Sequence, residues 1–147
     1  MDALIESGEF QVSAPQGSVR PGPDDRALWI ICGGTGAAQA FSCAEHRAQR
    51  ASAPTSVLWC ADSPAEFYGE TQLRDYGVAL TTITDDRRTP ENEGLVWMAR
   101  HCKAFKDATI IIAGAPGFVW AATDVLLDGG FAMAHLQSDV YAYAPRD

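Results

Sequence analysis

The strongest chemical signal in this 147-residue sequence is a run of four small residues, Gly33-Gly34-Thr35-Gly36. The run closes the apolar stretch Ala27–Gly33. It precedes a segment with apolar residues at 37, 40, 41, 44 and 48, the spacing of one helical stripe. A glycine turn between strand and helix lets backbone approach a ligand closely. The helix N-terminus then offers free N–H groups and a partial positive charge to a phosphate. The dinucleotide pattern G-x-G-x-x-G is incomplete here, because Gln39 holds the third glycine position. The turn reads as a phosphate cradle; the competing reading is a connector that binds nothing. No lysine stands in Walker position, and Trp29-Ile-Ile-Cys32 lacks the acid expected of a methyltransferase strand.

Two more turns sit where ligands bind in such an arrangement. Ala61-Asp62-Ser63 follows the second apolar run, and an acid there commonly holds a ribose 2′-hydroxyl, which leans toward NADH over NADPH. The competing role for Asp62 is a helix N-terminal charge. Gly114-Ala115-Pro116-Gly117 is a second glycine turn, placed to form the other wall of a cleft or to act as a plain connector. Near the C-terminus, Tyr141 and Tyr143 alternate and would share one face of a strand. His46, His101 and His135 are isolated, with no cysteine or acid at ligand spacing, so no metal site is expected. No G-x-S-x-G nucleophile turn occurs.

The elements that must position these turns alternate in type. Strands are expected at 27–33, 57–61, 78–84, 108–113 and 139–143. The intervening helices start at Ala37, at the capping box Ser63-Pro-Ala-Glu66, at Thr89-Pro90-Glu91 and near Phe118, and Gly129-Gly130 stops the last. On the first helix, Glu45, His46, Arg47 and Gln49 form the expected outer face. This alternation predicts an α/β fold, a doubly wound, Rossmann-like five-stranded parallel sheet in the order 3-2-1-4-5. Residues 1–26 read as an arm and linker, with one short strand near Phe10–Pro15, and residues 27–147 as the domain proper.

Composition narrows the partners. The chain is 47% hydrophobic and carries a net charge of −8, with its longest basic pair, Arg87-Arg88, next to Asp85-Asp86. A nucleic acid or an anionic membrane is therefore not an expected partner. Cys32, Cys43, Cys60 and Cys102 form no C-x-x-C pair, and Cys32 and Cys60 lie in apolar runs, so buried free thiols in a reducing cytoplasm are expected. The N-terminus has neither a basic segment nor a long apolar one, so no signal peptide or span is expected.

Taken in order, these landmarks resemble the NAD(P)H-binding domain of the ferredoxin–NADP reductase superfamily, across residues 9–146. They are Pro15-x-Gly17, Ile30–Ala38, Leu58–Asp62 with Glu66-Phe-Tyr68, Glu93–Val96 and Ala113–Gly117. The ending Ser138–Arg146 resembles flavin reductases and CDP-6-deoxyglucoseen reductase-type proteins. The resemblance implies that the Gly33–Gly36 backbone holds a pyrophosphate and that Thr35 lies at the nicotinamide and flavin N5 as the catalytic residue. It also implies that the 113–117 turn borders the nicotinamide and that Tyr141 or Tyr143 lies near the flavin. Hydride would pass from nicotinamide C4 to flavin N5, with the protein supplying position. Gln39, Ala113 and Asp62 depart from the family pattern, where proline, cysteine or serine, and arginine are common. The family's flavin-binding barrel would be represented only by residues 1–15, and its Arg-x-Tyr/Phe-Ser/Thr motif is absent from the sequence. FAD or FMN is therefore expected from a partner or a free pool. Two alternatives remain: a non-catalytic nucleotide- or partner-binding module, and a flavodoxin-like module. An unpaired strand in the arm would dock on its own domain, pair between chains in a homodimer, or stay disordered.

Overall fold

The apolar runs of the sequence become a single all-parallel sheet in the computed structural model, which describes residues 19–84 and 92–146. Its strands are β1 (Leu28–Gly33), β2 (Thr55–Ala61), β3 (Ala79–Thr84), β4 (Thr109–Ala113) and β5 (Leu136–Gln137). They lie in the order β3-β2-β1-β4-β5, as the alternation of elements predicts. The helices are α1 (Ala37–Arg47), α2 (Glu70–Asp75), α3 (Glu93–His101), α4 (Pro116–Asp128) and α5 (Val140–Tyr143).

Burial on both faces explains why the central strands are continuously apolar. Every residue of β1 is buried. Leu28, Ile30 and Cys32 pack with Ala37, Ala40 and Ala44 of α1 and with Leu73 of α2. Trp29 and Ile31 pack on the other face with Met98 of α3 and with Val119, Ala122 and Leu126 of α4. Each fully buried isoleucine or leucine contributes about 1.5–3 kcal/mol of transfer free energy. All four cysteines are free thiols, and Cys32, Cys60 and Cys102 are buried. Among the described residues no helix is long and apolar enough to cross a membrane.

Three local expectations are corrected. The last strand was expected at Asp139–Tyr143, but β5 is only Leu136–Gln137 and Val140–Tyr143 is one helical turn. The Ser138 hydroxyl accepts the Val140 N–H at 3.3 Å, and the Tyr141 ring packs 5.0 Å from that of Trp120. These contacts override the strand-like alternation of Val-Tyr-Ala-Tyr. The capping box at Ser63 starts only a 3-10 turn, Pro64–Glu66. The chain then leaves helical geometry so that Phe67 and Tyr68 can pack against Trp59. Gly69, left-handed at φ 70°, restarts the chain as α2. The third correction is Arg47, which is 2% exposed and does not belong to an outer face.

The buried Arg47 guanidinium ties the linker to the domain. It donates to Thr55 Oγ1 at 2.8 Å and to the carbonyls of Arg26 at 2.8 Å, Ala53 at 3.2 Å and Pro23 at 3.3 Å. Burial pulls its pKa down, and Asp24 pulls it partly back. A second tie lies nearby: the Gln137 side chain exchanges hydrogen bonds with the Arg20 backbone, at 2.8 and 3.0 Å. The strand expected near Phe10–Pro15 and the helix start at Thr89–Glu91 lie outside the described residues.

Replacing Arg47 with methionine fills the space but leaves those acceptors without a donor. Arg47→Met should cost about 2–4 kcal/mol in urea unfolding. Arg47→Lys should recover only part, because an ammonium cannot span the same fork of acceptors.

Candidate functional site

The site is built where the C-terminal ends of β1 and β4 meet. Ile31 and Cys32 pair with Ile112 and Ala113, so the turns after both strands emerge side by side. Residues Gly34–Gly36 form one 3-10 turn that runs directly into α1. A Cβ on Gly36 would stand 2.3 Å from the Ala113 carbonyl oxygen and 2.7 Å from the Gly114 nitrogen. No side chain fits there, so the two turns touch backbone to backbone, as two walls of one cleft require.

Two hollows flank this contact. The larger, of about 730 Å³, is lined by Gly33, Gly34, Thr35, Ala38, Ala65, Glu66, Tyr68 and Ala115. The smaller, of about 480 Å³, lies between Thr35, Gly36, Ala113, Gly114 and the C-terminal segment Ser138–Val140 with Tyr143. Thr35 and Ala38 line both. Thr35 therefore stands on the ridge that joins the two hollows, with its side chain exposed.

The other sequence-predicted residues divide. Gly114 lines the smaller hollow and Ala115 the larger, whereas Pro116 and Gly117 form the exposed first turn of α4. Asp62 is exposed at the end of β2, and neither it nor Ser63 lines a hollow. The Ser63 N–H instead donates to the Glu66 carboxylate at 2.9 Å. The tyrosines do not share a face, because two residues apart on a helix is about 200° around its axis. Tyr141 turns toward α4, its hydroxyl 2.7 Å from Thr123 Oγ1, and burial pushes its pKa up. Tyr143 is 66% exposed and stands at the smaller hollow. Cys32, at the end of β1, is fully buried in the core, and burial, reinforced by the charge of Cys60, holds its pKa far above the ordinary thiol value. It is packing, not a nucleophile.

Tyr68 carries no role in the sequence reading beyond being part of a landmark. It is 56% exposed, and its ring stacks on Phe41 with centroids 5.6 Å apart and planes 12° apart. Trp59 meets both rings edge-on, at 6.0 and 5.4 Å. The result is a braced aromatic shelf on the wall of the larger hollow. Its only trace in the sequence is the pair of aromatics Phe67-Tyr68, because Phe41 is distant along the chain.

The C-terminal segment is fixed by side chains of α4. Trp120 Nε1 donates to the Ala144 carbonyl at 2.9 Å. Arg146 forms a bidentate pair with Asp124, at 2.6 and 2.9 Å, and lies 4.5 Å over the Trp120 ring. The hydrogen bond from Arg146 holds the Asp124 carboxyl below its usual value.

Solved structures share this fold. A ferredoxin reductase in carbazole 1,9a-dioxygenase superposes with a TM-score of 0.66 at 20% identity, over 82% of this chain and 39% of its own. The chain folds like a ferredoxin reductase. A flavohemoglobin from Malassezia yamatoensis with bound FAD and heme superposes at 0.65 and 16% identity, over 80% of this chain and 32% of its own. A ferredoxin-NADP+ reductase mutant from Plasmodium falciparum gives 0.57 and 8% identity, over 77% and 51%. At these identities the likeness to ferredoxin reductases is one of fold. The chain spans between about a third and a half of each of these proteins. No protein-family model matches the chain, and none of the curated proteins does.

Gly36→Ala should lose at least about 2 kcal/mol in thermal or urea unfolding, because backbone must move to admit the methyl group. Gly117→Ala, which meets nothing within 4 Å, should be neutral or stabilise by up to about 1 kcal/mol. The tether at Asp124 has a defined pH sense, because the native pKa is depressed. It is complete above the ordinary aspartate value of 3.8 and is lost as pH falls through the lower native value. The Trp120 indole N–H resonance should shift over that range in the wild type and not in Asp124→Asn.

Proposed function

We propose that this chain binds NADH or NADPH across the two hollows and acts as the nucleotide half of a flavin or ferredoxin reductase. The observation that carries the reading is Thr35, set on the ridge between two hollows at the C-terminal edge of a parallel sheet. That edge, at the point where the strand order reverses, is where open α/β sheets bind nucleotides. The fold shared with ferredoxin reductases supports the same assignment.

The residues present fit the group. The glycines of the turn Gly33–Gly36 leave backbone open to a pyrophosphate at the start of α1. The exposed face of Tyr68 offers a plane for adenine, and Asp62 and Glu66 stand at the end of the strand where an acid favours a ribose 2′-hydroxyl. The nicotinamide would lie beside Thr35, Gly114 and Ala115, and Tyr143, which lines the smaller hollow, would meet the flavin. When both groups are bound, the chemistry they supply is hydride transfer from nicotinamide to flavin. The chain contributes alignment: Thr35 touches the reacting end, and α4 holds the segment carrying Tyr143. Residues 27–147 would form the nucleotide unit, and residues 1–26 its link to whatever holds the flavin. FAD or FMN would come from a partner or from solution. A second reading, a nucleotide- or partner-binding module without turnover, draws on Ala113, which brings only a methyl group to the smaller hollow.

NADH oxidation with added FMN or FAD, read beside calorimetry, separates the readings. Turnover with either flavin supports the reductase. Nucleotide binding without turnover supports the second reading, and no binding of either nucleotide at millimolar concentration removes both. Thr35→Ala should lower turnover by about tenfold or more while the NADH dissociation constant moves less than about threefold.

A further inference from the structure

We propose that the end of the sheet opposite the cleft is a docking face for an acidic protein segment, which would hold the chain in an assembly while the cleft stays open. Arg26–Ala27 and Ala108–Thr109 lead into β1 and β4, whose other ends carry the glycine turns. The length of β1, roughly 17 Å at about 3.3 Å per residue, separates this face from those turns. Three neighbouring hollows open here, of about 460, 650 and 540 Å³. Lys106 and Asp107 line all three, and the half-buried ring of Phe131 lines the first two.

Cations from separate parts of the chain converge on these hollows. Arg20 and Arg26 come from the linker before β1, and Lys103 and Lys106, the only lysines in the sequence, from the connection between α3 and β4. His135 adds an imidazole from the connection before β5. Asp25 and Asp107 are the acids on these walls, so cations are in excess here although the whole chain carries −8. The end of α3 favours a nearby lysine through the helix dipole. That does not account for Arg20 and Arg26, which no helix precedes in the described chain. The linker carrying them is fixed: Gln137 holds the Arg20 backbone, Arg47 holds the carbonyls of Pro23 and Arg26, and a Cβ on Gly22 would collide with Thr109. Arg26, Lys103 and Lys106 are exposed and form no ion pair with a described residue. None of the buried polar side chains, Arg47, Thr55, Asn92, Thr123 and Ser138, lines these hollows, so nothing there is built to fix one small anion. Cations spread along a broad face and interrupted by two acids match discrete carboxylates better than a continuous phosphate backbone. Phe131 offers an apolar side chain of the partner a place to rest.

The test is a titration of the nitrogen-15-labelled full chain, followed by its amide resonances, with a peptide of about 12 residues, glutamates around a central leucine. Amides at 20–26, 103–109 and 131–137 are expected to shift, and those at 33–36 and 113–117 to stay. Binding should weaken at least about threefold as salt rises from about 0.05 M to about 0.5 M. Lys106→Gln is expected to weaken it about three- to fivefold. Arg74→Gln, which removes the same charge from α2, is expected to change it by less than about 1.5-fold. No shift at about 5 mM peptide, shifts centred elsewhere, or an equal loss in Arg74→Gln overturns the proposal. So does inorganic pyrophosphate moving the same amides at a tenth of the peptide concentration, which would mark a site for a free anion. If these amides move when the chain alone is concentrated, the face meets a second copy and the acidic partner is overturned. The readout needs no nucleotide, so it stands or falls apart from the cleft reading.

Discussion

The close approach of Gly36 to the Ala113 carbonyl is the constraint on which the site depends. It exists because β1 and β4 are neighbours while their following helices leave on opposite faces of the sheet. α1 packs with Leu28, Ile30 and Cys32, and α4 packs with Trp29 and Ile31. Helices that diverge from adjacent strand ends open a crevice between their first turns. How deep that crevice runs is set by how closely the two turns approach, and a side chain at position 36 would wedge them apart. The three alanines buried on α1 serve the same end. Ala37, Ala40 and Ala44 let the helix lie close on the sheet, so its first turn stays over the strand ends.

The aromatic side of the cleft shows a different balance. Trp59 is fully buried, and its Nε1 has no hydrogen-bond partner among the described residues. Leaving an indole N–H dry costs on the order of 1–3 kcal/mol. Against this stand edge-on contacts with Phe41, Phe67 and Tyr68, each with interplanar angles near a right angle at 88–89°. Such contacts contribute about 0.5–1.5 kcal/mol apiece beyond area burial. Three of them offset the loss and fix Tyr68 while it remains exposed. A large exposed ring is thus held in one orientation, which lowers the entropy cost of stacking a planar ligand on it.

The central sheet and its order were legible because β1, β2 and β4 are buried on both faces, and such strands must be apolar throughout. The glycine turns were legible for the same local reason. What was not legible depends on contacts between distant residues. Arg47 sits at a position of α1 that looks solvent-facing, but its acceptors come from residues 23, 26, 53 and 55. Tyr68 looks like part of a helix until Phe41 is beneath it. The last element was misread because Val-Tyr-Ala-Tyr has strand alternation, and only Trp120 and Thr123 of α4 show which way each tyrosine must turn.

That last element also shows why a two-residue edge strand suffices. β5 gives the sheet only the pairs Ile110–Leu136 and Ile111–Gln137, too few to hold the segment beyond it. The fixing is done by α4 instead: Thr123 takes the Tyr141 hydroxyl, Trp120 the Ala144 carbonyl, and Asp124 the Arg146 guanidinium. These three residues lie within about one turn of α4, so the segment is held against a rigid helix and not by an extended ladder. The Arg146 pair is solvent-exposed and weak taken singly. Combined with the guanidinium over Trp120 and the half-buried Tyr141 ring, it closes a network whose members restrain one another. The consequence is positional: with Tyr141 committed to α4, the helical turn directs Tyr143 to the opposite side, beside Thr35, Gly36 and Gly114, where the two glycine turns meet.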